Sequence, residues 1–172
     1  MKHFFLRTLL VFLAWLPAAA LAQSSDWQID SFHSDIFVNE DGSIDVKETI
    51  ETNFPSSKHG IYRDIPVKYR NTYSQHISLG LEVVNVWDER GEPLLYEVLR
   101  EGAYRRIKIG DPDVYVSGKK TYVIAYRAER GLRYLADHDE LYWNVTGNNW
   151  EAPISKSSAA VHLPFNTEEL LE

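Results

Sequence analysis

Residues 43–54 have the sequence Ser-Ile-Asp-Val-Lys-Glu-Thr-Ile-Glu-Thr-Asn-Phe, and their alternation decides the fold class. The apolar side chains of Ile44, Val46, Ile50 and Phe54 recur with period two, while polar and charged side chains occupy the positions between them. Because successive side chains of a β-strand point to opposite faces, this stretch is predicted to be a strand with one face buried.

The same alternation continues on both sides of this strand. Asn39-Glu40-Asp41-Gly42 favours a turn, so 27–38 and 43–54 are predicted to form a hairpin. Further alternating stretches cover 77–83, with a bulge after it, then 94–100, 104–109, 119–129, 141–145 and 159–163. Short strands separated by turns predict an all-β domain, an immunoglobulin-like antiparallel β-sandwich of about eight or nine strands.

The predicted core consists of the side chains on the apolar face of each strand. They are Ile44, Val46, Ile50, Ile77, Leu79, Leu81, Ile107, Ile124, Trp143 and Val161.

The first 22 residues have the features of a secretory leader. Lys2 and Arg7 precede an uncharged apolar run, and Ala20-Leu21-Ala22 supplies small residues for cleavage before Gln23. An uncleaved membrane anchor is the alternative, although the apolar run is short for a span. The predicted organisation is therefore a signal peptide at 1–22, a sandwich domain at 23–165, and the helical start of a connecting segment at 166–172.

Composition argues against a nucleic-acid partner. Without Lys2 and Arg7 the 18 basic residues fall to 16 against 25 acidic residues, a formal charge of −9, and the basic residues are scattered. An exported chain without cysteine cannot use disulfides, which favours a bacterial envelope or surface protein.

The sequence predicts no catalytic residue, cofactor or metal site. It lacks Gly-x-Ser-x-Gly, cysteine and His-Glu-x-x-His, and its histidines are scattered. Asp137-His138-Asp139-Glu140 contains oxygen ligands that suit extracellular calcium. A solvated turn is the preferred interpretation, because the spacing of a dedicated calcium loop is missing, and calcium binding at 137–140 stays open.

Glu48 is unusual because it falls on the apolar side of its strand, between Val46 and Ile50. A buried carboxylate is costly unless it is paired. Arg63 in the following segment can supply a two-point guanidinium contact, so Glu48 and Arg63 are predicted to form a structural ion pair.

A second cluster combines aromatic and amide side chains near the end of the chain. Tyr142, Asn144, Asn148 and Trp150 can stack on sugar rings or peptide side chains and donate hydrogen bonds. They are the predicted binding residues, whereas the neighbouring Trp143 is predicted to be buried.

Several ordered motifs resemble a known family. They are Asp41-Gly42-Ser43, Val46-Lys47-Glu48-Thr49-Ile50, His59-Gly60-Ile61-Tyr62-Arg63-Asp64-Ile65-Pro66, Ile109-Gly110-Asp111-Pro112-Asp113, Thr121-Tyr122 and Leu141-Tyr142-Trp143-Asn144-Val145-Thr146-Gly147. Together they resemble the N-terminal domain of the YciQ-like predicted membrane proteins, a family of unknown function. The resemblance implies an extracytoplasmic sandwich followed by transmembrane helices, and it carries over no catalytic residue.

Two functions are compatible with these observations. The first is an exported, membrane-anchored binding or interaction domain of the cell envelope, whose partner is an envelope protein, a peptide or a glycan. The alternative is a metal-assisted or other hydrolase that acts on envelope material. The missing catalytic patterns favour the first, and a purely structural spacer is a third reading.

Overall fold

The structure is a computed structural model that describes residues 26–70 and 76–165. The predicted signal peptide and the predicted segment at 166–172 lie outside these residues. All regular elements described are strands, which confirms the all-β prediction. They are β1 Gln28–Val38, β2 Ile44–Lys58, β3 Ile61–Pro66, β4 Lys68–Arg70, β5 His76–Ser78, β6 Leu81–Trp87, β7 Tyr96–Glu101, β8 Tyr104–Ile109, β9 Val116–Ala128, β10 Leu132–Tyr134, β11 Asp139–Leu141 and β12 Ser157–His162.

Two larger sheets contain most of these strands. One has the order β12-β1-β2-β9-β6 and the other has the order β3-β8-β7, while β4-β5 and β10-β11 form two-stranded ribbons. The described residues contain no helix long and apolar enough to cross a lipid bilayer.

The predicted hairpin is present as β1 and β2. Val38 is opposite Ile44, and Ile36 is opposite Val46, so the two apolar faces coincide. Gly42 takes a φ of 78° in the connecting turn, a conformation that glycine adopts without the steric cost of a Cβ. The turn chemistry and the alternation therefore agree on one register.

A single hydrophobic core joins the two larger sheets. The five-stranded sheet supplies most of the buried side chains, and β3 and β8 supply Ile61, Ile65, Ile107 and Ile109 from the other side. Six predicted core residues are buried as expected: Ile44, Val46, Ile50, Leu79, Ile107 and Ile124. The predicted bulge is also confirmed, because the β6–β9 register shifts between Val83 and Asn85.

Three core assignments differ from the prediction. Leu81 and Trp143 are half-buried, although both pack against the core. The prediction that Val161 is buried is wrong, since the residue is 51% exposed. It lies on β12, the edge strand of the five-stranded sheet, which pairs with β1 alone. The side chain of Ile77 lies outside the described part of the structure.

The expected strand arrangement also needs correction. The described residues form twelve strands, and β12 runs parallel to β1, so the domain is not a wholly antiparallel sandwich. The alternating stretch before the bulge divides at Leu79-Gly80 into β5 and β6. Alternation marks which face of a strand is buried, but it does not distinguish parallel from antiparallel neighbours. The immunoglobulin-like arrangement stays a prediction.

Candidate binding site

The structure brings Glu48 and Arg63 together in the core. Strand β2 places Glu48 on its inward face, and β3 directs Arg63 at it from the opposite sheet. Arg63 Nε donates to Glu48 Oε2 at 2.7 Å, and Nη2 donates to Oε1 at 2.6 Å. The two side chains are 1% and 0% exposed. This is a two-point ion pair shielded from water, the geometry in which arginine and carboxylate interact most strongly.

Tyr126 completes the environment of the carboxylate. Its hydroxyl donates to Glu48 Oε1 at 2.7 Å. Burial raises the pKa of Tyr126 well above its ordinary value, and the negative charge of Glu48 raises it further. Burial opposes the charge on Arg63, but Glu48 outweighs it and the pKa of Arg63 lies above its ordinary value. Arg63 therefore keeps its charge in the core while Tyr126 stays a neutral donor.

The far side of Arg63 holds residues 142–150, which we call the asparagine loop. Nη1 donates to the carbonyl oxygen of Thr146 at 3.0 Å, and Nη2 lies 3.4 Å from that of Val145. The guanidinium carbon also lies 5.5 Å from the ring centroid of Phe32 and 5.7 Å from that of Trp150. The buried Arg63 guanidinium thus fixes the backbone of the asparagine loop, which is not part of a strand.

Gly147 allows this close approach. Its φ is 72°, and a Cβ at this position would lie 2.2 Å from Arg63 Nη1. Its N–H donates to Asn144 Oδ1 at 3.0 Å, so Asn144 closes a local turn around it. The backbone shape of the loop follows from both contacts.

Three of the four predicted binding residues lie on the surface of the asparagine loop. Tyr142 is 61% exposed, and Asn144 and Asn148 are exposed beside it. The Arg133 guanidinium lies 4.5 Å from the ring centroid of Tyr142, a cation–π contact on one ring face. Asn144 Nδ2 lies 3.5 Å from Asn148 Oδ1, which keeps the two amides adjacent.

Trp150 has a different position from the other three. It is half-buried and packs edge-on against Phe32, with ring centroids 6.2 Å apart. Its Nε1 donates to the carbonyl oxygen of Thr146 at 2.8 Å. Trp150 therefore supports the loop from the core side.

A further charged pair, which the sequence pattern does not predict, lies on the opposite face of β3. Asp64 accepts from Arg106 Nε at 2.7 Å and from Nη2 at 2.8 Å, and Asn149 Nδ2 lies 3.3 Å from Asp64 Oδ2. The hydrogen bonds from Arg106 lower the pKa of Asp64. Arg106 in turn lies 5.3 Å from the ring centroid of Tyr62. Adjacent residues of a strand face opposite ways, so Arg63 and Asp64 belong to two separate pairs on the two faces of β3.

The acidic segment 137–140 is spread over separate contacts. Asp137 Oδ1 meets His138 Nδ1 at 2.9 Å, while Glu140 Oε2 lies 3.4 Å from Arg133 Nη1. In 26–70 and 76–165, no group of three or more His, Asp or Glu side chains is arranged to hold a metal ion.

Two solved structures match part of the chain with low TM-scores. Yeast LTA4 hydrolase matches with a TM-score of 0.44 and 16% identity, over 59% of this chain and 14% of that protein. The M1 zinc metallopeptidase from Deinococcus radiodurans matches with a TM-score of 0.42 and 9% identity, over 60% of this chain and 21% of that protein. Similarity at this level supports no inference about activity.

The sequence matches are more extensive. The uncharacterized protein YciQ of Escherichia coli (strain K12) is 28% identical over 161 residues, which cover 88% of this chain. The chain spans only 25% of the length of that relative. Residues 28–171 match a family described as the predicted membrane protein (DUF2207) N-terminal domain. The chain therefore belongs to the family of the predicted membrane protein (DUF2207) N-terminal domain.

Proposed function

We propose that this domain is an extracytoplasmic binding module of a membrane-anchored protein of the cell envelope. Its contact surface is the outer side of the asparagine loop, with Tyr142, Asn144 and Asn148 as the contacting side chains. The partner is an envelope protein, a peptide or a glycan.

One observation carries this proposal: the loop exposes the side chains of Tyr142, Asn144 and Asn148 while Arg63 holds its backbone from the core side. Arg63 bonds the carbonyl oxygens of Val145 and Thr146, and it is itself fixed by Glu48. A preordered loop loses little conformational freedom when a partner binds. Tyrosine supplies a rigid aromatic face and asparagine supplies adaptable hydrogen bonds, the combination that binding loops of other proteins use.

Cellular location is the second part of the proposal. The family consists of predicted membrane proteins, and the apolar run before Gln23 has the form of an export signal. Mass spectrometry of the protein recovered from the envelope should find an N-terminus at Gln23. A protein that retains Met1 and stays on the cytoplasmic side would contradict the proposed address.

Cross-linking in intact cells tests the contact surface. A benzophenone amino acid replaces Tyr142 or Asn148 in the full-length membrane protein. Val84 and Leu95 serve as control positions, because they are 63% and 60% exposed on other segments. The proposal expects a discrete adduct from 142 and 148 that the control positions do not give.

Two results would count against a binding role for the loop. The first is equal labelling from all four positions. The second is release of soluble products from isolated envelope by the purified protein, abolished by changing one acid or histidine, which would favour the hydrolase alternative.

A further inference from the structure

A cavity of about 310 Å³ lies where two motifs of the sequence meet. His59-Gly60-Ile61-Tyr62 lines one side and Lys108-Ile109-Gly110 lines the other. Trp27, Lys58, Pro112 and Glu151 complete the lining. The lining contains no residue of the asparagine loop, so the cavity is a second candidate site.

Two glycines set the shape of this cavity. A Cβ on Gly60 would lie 1.8 Å from the carbonyl oxygen of Ile109, and a Cβ on Gly110 would lie 1.9 Å from that of His59. Both glycines have positive φ values, 144° and 125°. The two backbones touch here because neither residue has a side chain, and the adjoining side chains surround the space beside the contact.

The floor of the cavity is apolar and continuous with the core. Trp27 is 9% exposed, Ile61 4% and Ile109 1%, and all three belong to the core cluster. The Trp27 and Phe54 ring centroids are 5.2 Å apart, which fixes the indole in place. Such a floor suits a small apolar group that removes its surface from water.

The charges in the lining differ in how they are satisfied. Lys58 Nζ pairs with Asp26 Oδ1 at 2.9 Å. Lys108 lies between Tyr62 and Glu97 in the sheet register, but among the described residues its ammonium group forms no ion pair. An ammonium group without an ion pair in the lining of an apolar cavity can attract an anionic ligand, and Glu97 on the neighbouring strand is the nearest competing carboxylate in the sheet register.

His59 gives the rim a fixed polar group. Its Nδ1 donates to the carbonyl oxygen of Val114 at 3.1 Å, since a carbonyl can only accept. Its ring centroid lies 4.0 Å from that of Tyr115. Glu151 is the acidic member of the lining and is exposed. It disfavours a second negative charge on the ligand.

We propose that this cavity binds a small ligand with one carboxylate on an apolar body, and that Lys108 is its counter-ion. The apolar body lies on Trp27, Ile61 and Ile109, and the carboxylate faces the Lys108 ammonium group. A peptide C-terminus with an apolar last residue and a free short-chain acid share this chemistry.

Binding is tested with N-acetylleucine and its neutral amide, N-acetylleucinamide, by calorimetry and amide chemical shifts on the full chain. N-acetylleucine should bind with a Kd in the millimolar range. The amide should bind about threefold to tenfold more weakly, because only the carboxylate attracts Lys108. The shifted amides should lie around Gly60 and Gly110.

Two variants separate a specific contact from general charge. Lys108→Gln should weaken N-acetylleucine binding about threefold to tenfold and leave binding of the amide unchanged. Lys119→Gln is the matched control, because Lys119 is exposed on β9 and does not line the cavity. Equal affinities for the acid and the amide, or equal losses in both variants, would overturn the proposal, as would the absence of saturable binding.

Two more probes distinguish the source of the ligand. Tighter binding of N-acetyl-alanyl-leucine than of hexanoate identifies a peptide C-terminus, and the reverse order identifies a free acid. The proposals for the cavity and for the asparagine loop are tested independently, since cross-linking from Tyr142 does not depend on ligand binding at Lys108.

Discussion

Glu48 and Arg63 form a two-point ion pair between the sheets, with N–O distances of 2.6 and 2.7 Å. The remaining guanidinium N–H groups donate to the carbonyl oxygens of Asp64, Thr146 and, at a longer distance, Val145. All five donors of the arginine therefore have acceptors. One side chain links a core carboxylate to the loop that carries the proposed contact surface.

Removing the Glu48 charge should destabilise the domain strongly. Glu48→Gln keeps the shape but leaves Arg63 as a buried cation without its counter-ion, at an expected cost of about 3 to 5 kcal/mol. Glu51→Gln on the same strand is the control, because Glu51 is exposed, and it should change stability by less than about 0.5 kcal/mol. Urea unfolding measures both.

A double-mutant cycle examines the same pair. Replacing Glu48 by Leu and Arg63 by Met together should cost less than the sum of the two single replacements, because neither charge is left alone in the core. Additive costs would mean that the two charges do not stabilise each other.

Gly147 is expected to control the position of the asparagine loop. Gly147→Ala adds a Cβ 2.2 Å from Arg63 Nη1 at a positive φ. Gly118→Ala is the matched control, since Gly118 has a φ of 68° and open space around the same position. Both variants carry the backbone penalty of about 1 to 2 kcal/mol, and Gly147→Ala should exceed it.

Hydrogen exchange distinguishes the two glycine variants locally. The amides of 142–150 should exchange faster in Gly147→Ala than in Gly118→Ala, because the loop must move away from Arg63. Unchanged exchange in both would show that Arg63 does not hold the loop.

The asparagine loop shows how far alternation predicts structure. Leu141, Trp143 and Val145 were expected to form a strand, and all three do pack against the core. Only Leu141 belongs to one, in β11. Period two predicted the inward side chains, but a strand also needs a partner for its backbone, and here the carbonyl oxygens of Val145 and Thr146 are bonded by a side chain.

The sequence predicted that Glu48 has a charged partner, whereas it did not predict the partner of Arg106. A carboxylate inside an apolar alternation is a local anomaly that demands a partner. Asp64 is only 5% exposed, but it lies on the other face of β3 from Arg63, and only the β3–β8 register places it opposite Arg106. The local pattern does not predict a pair that depends on the register of two strands distant in the sequence.

Truncations of two valines should differ sharply in their effects on stability. Val46→Ala opens a cavity in the core and should cost about 2 to 4 kcal/mol. Val161→Ala removes the same methyl groups from a side chain that is 51% exposed and should cost less than about 0.5 kcal/mol. Similar losses in both variants would mean that β12 is covered in solution.

The edge position of β12 explains this contrast. Val161 alternates as regularly as Val46, yet its strand pairs with β1 alone and runs parallel to it. Parallel neighbours cannot be joined by a tight turn, and residues 39–156 separate β1 from β12 in the sequence. The sequence pattern contains no information about which strand ends the sheet.

Asp64 should make folding stability depend on acid pH. Hydrogen bonds from Arg106 and Asn149 hold the pKa of Asp64 below its ordinary value in the folded protein. The folded state therefore binds this proton less readily than the unfolded chain, whose aspartates titrate at about pH 3.9. The resulting stabilisation is fully present above that pH and is lost as the pH falls through the lower, folded pKa.

Wild type and Asp64→Asn should thus differ most in unfolding free energy near neutral pH and converge in acid. Asp113→Asn, which changes an exposed aspartate in the loop before β9, is the control and should alter the unfolding free energy at neutral pH by less than about 0.5 kcal/mol. Urea unfolding from pH 7 down to about pH 2 measures the three proteins, and a constant difference between wild type and Asp64→Asn would show that the Asp64–Arg106 pair does not stabilise the charged carboxylate.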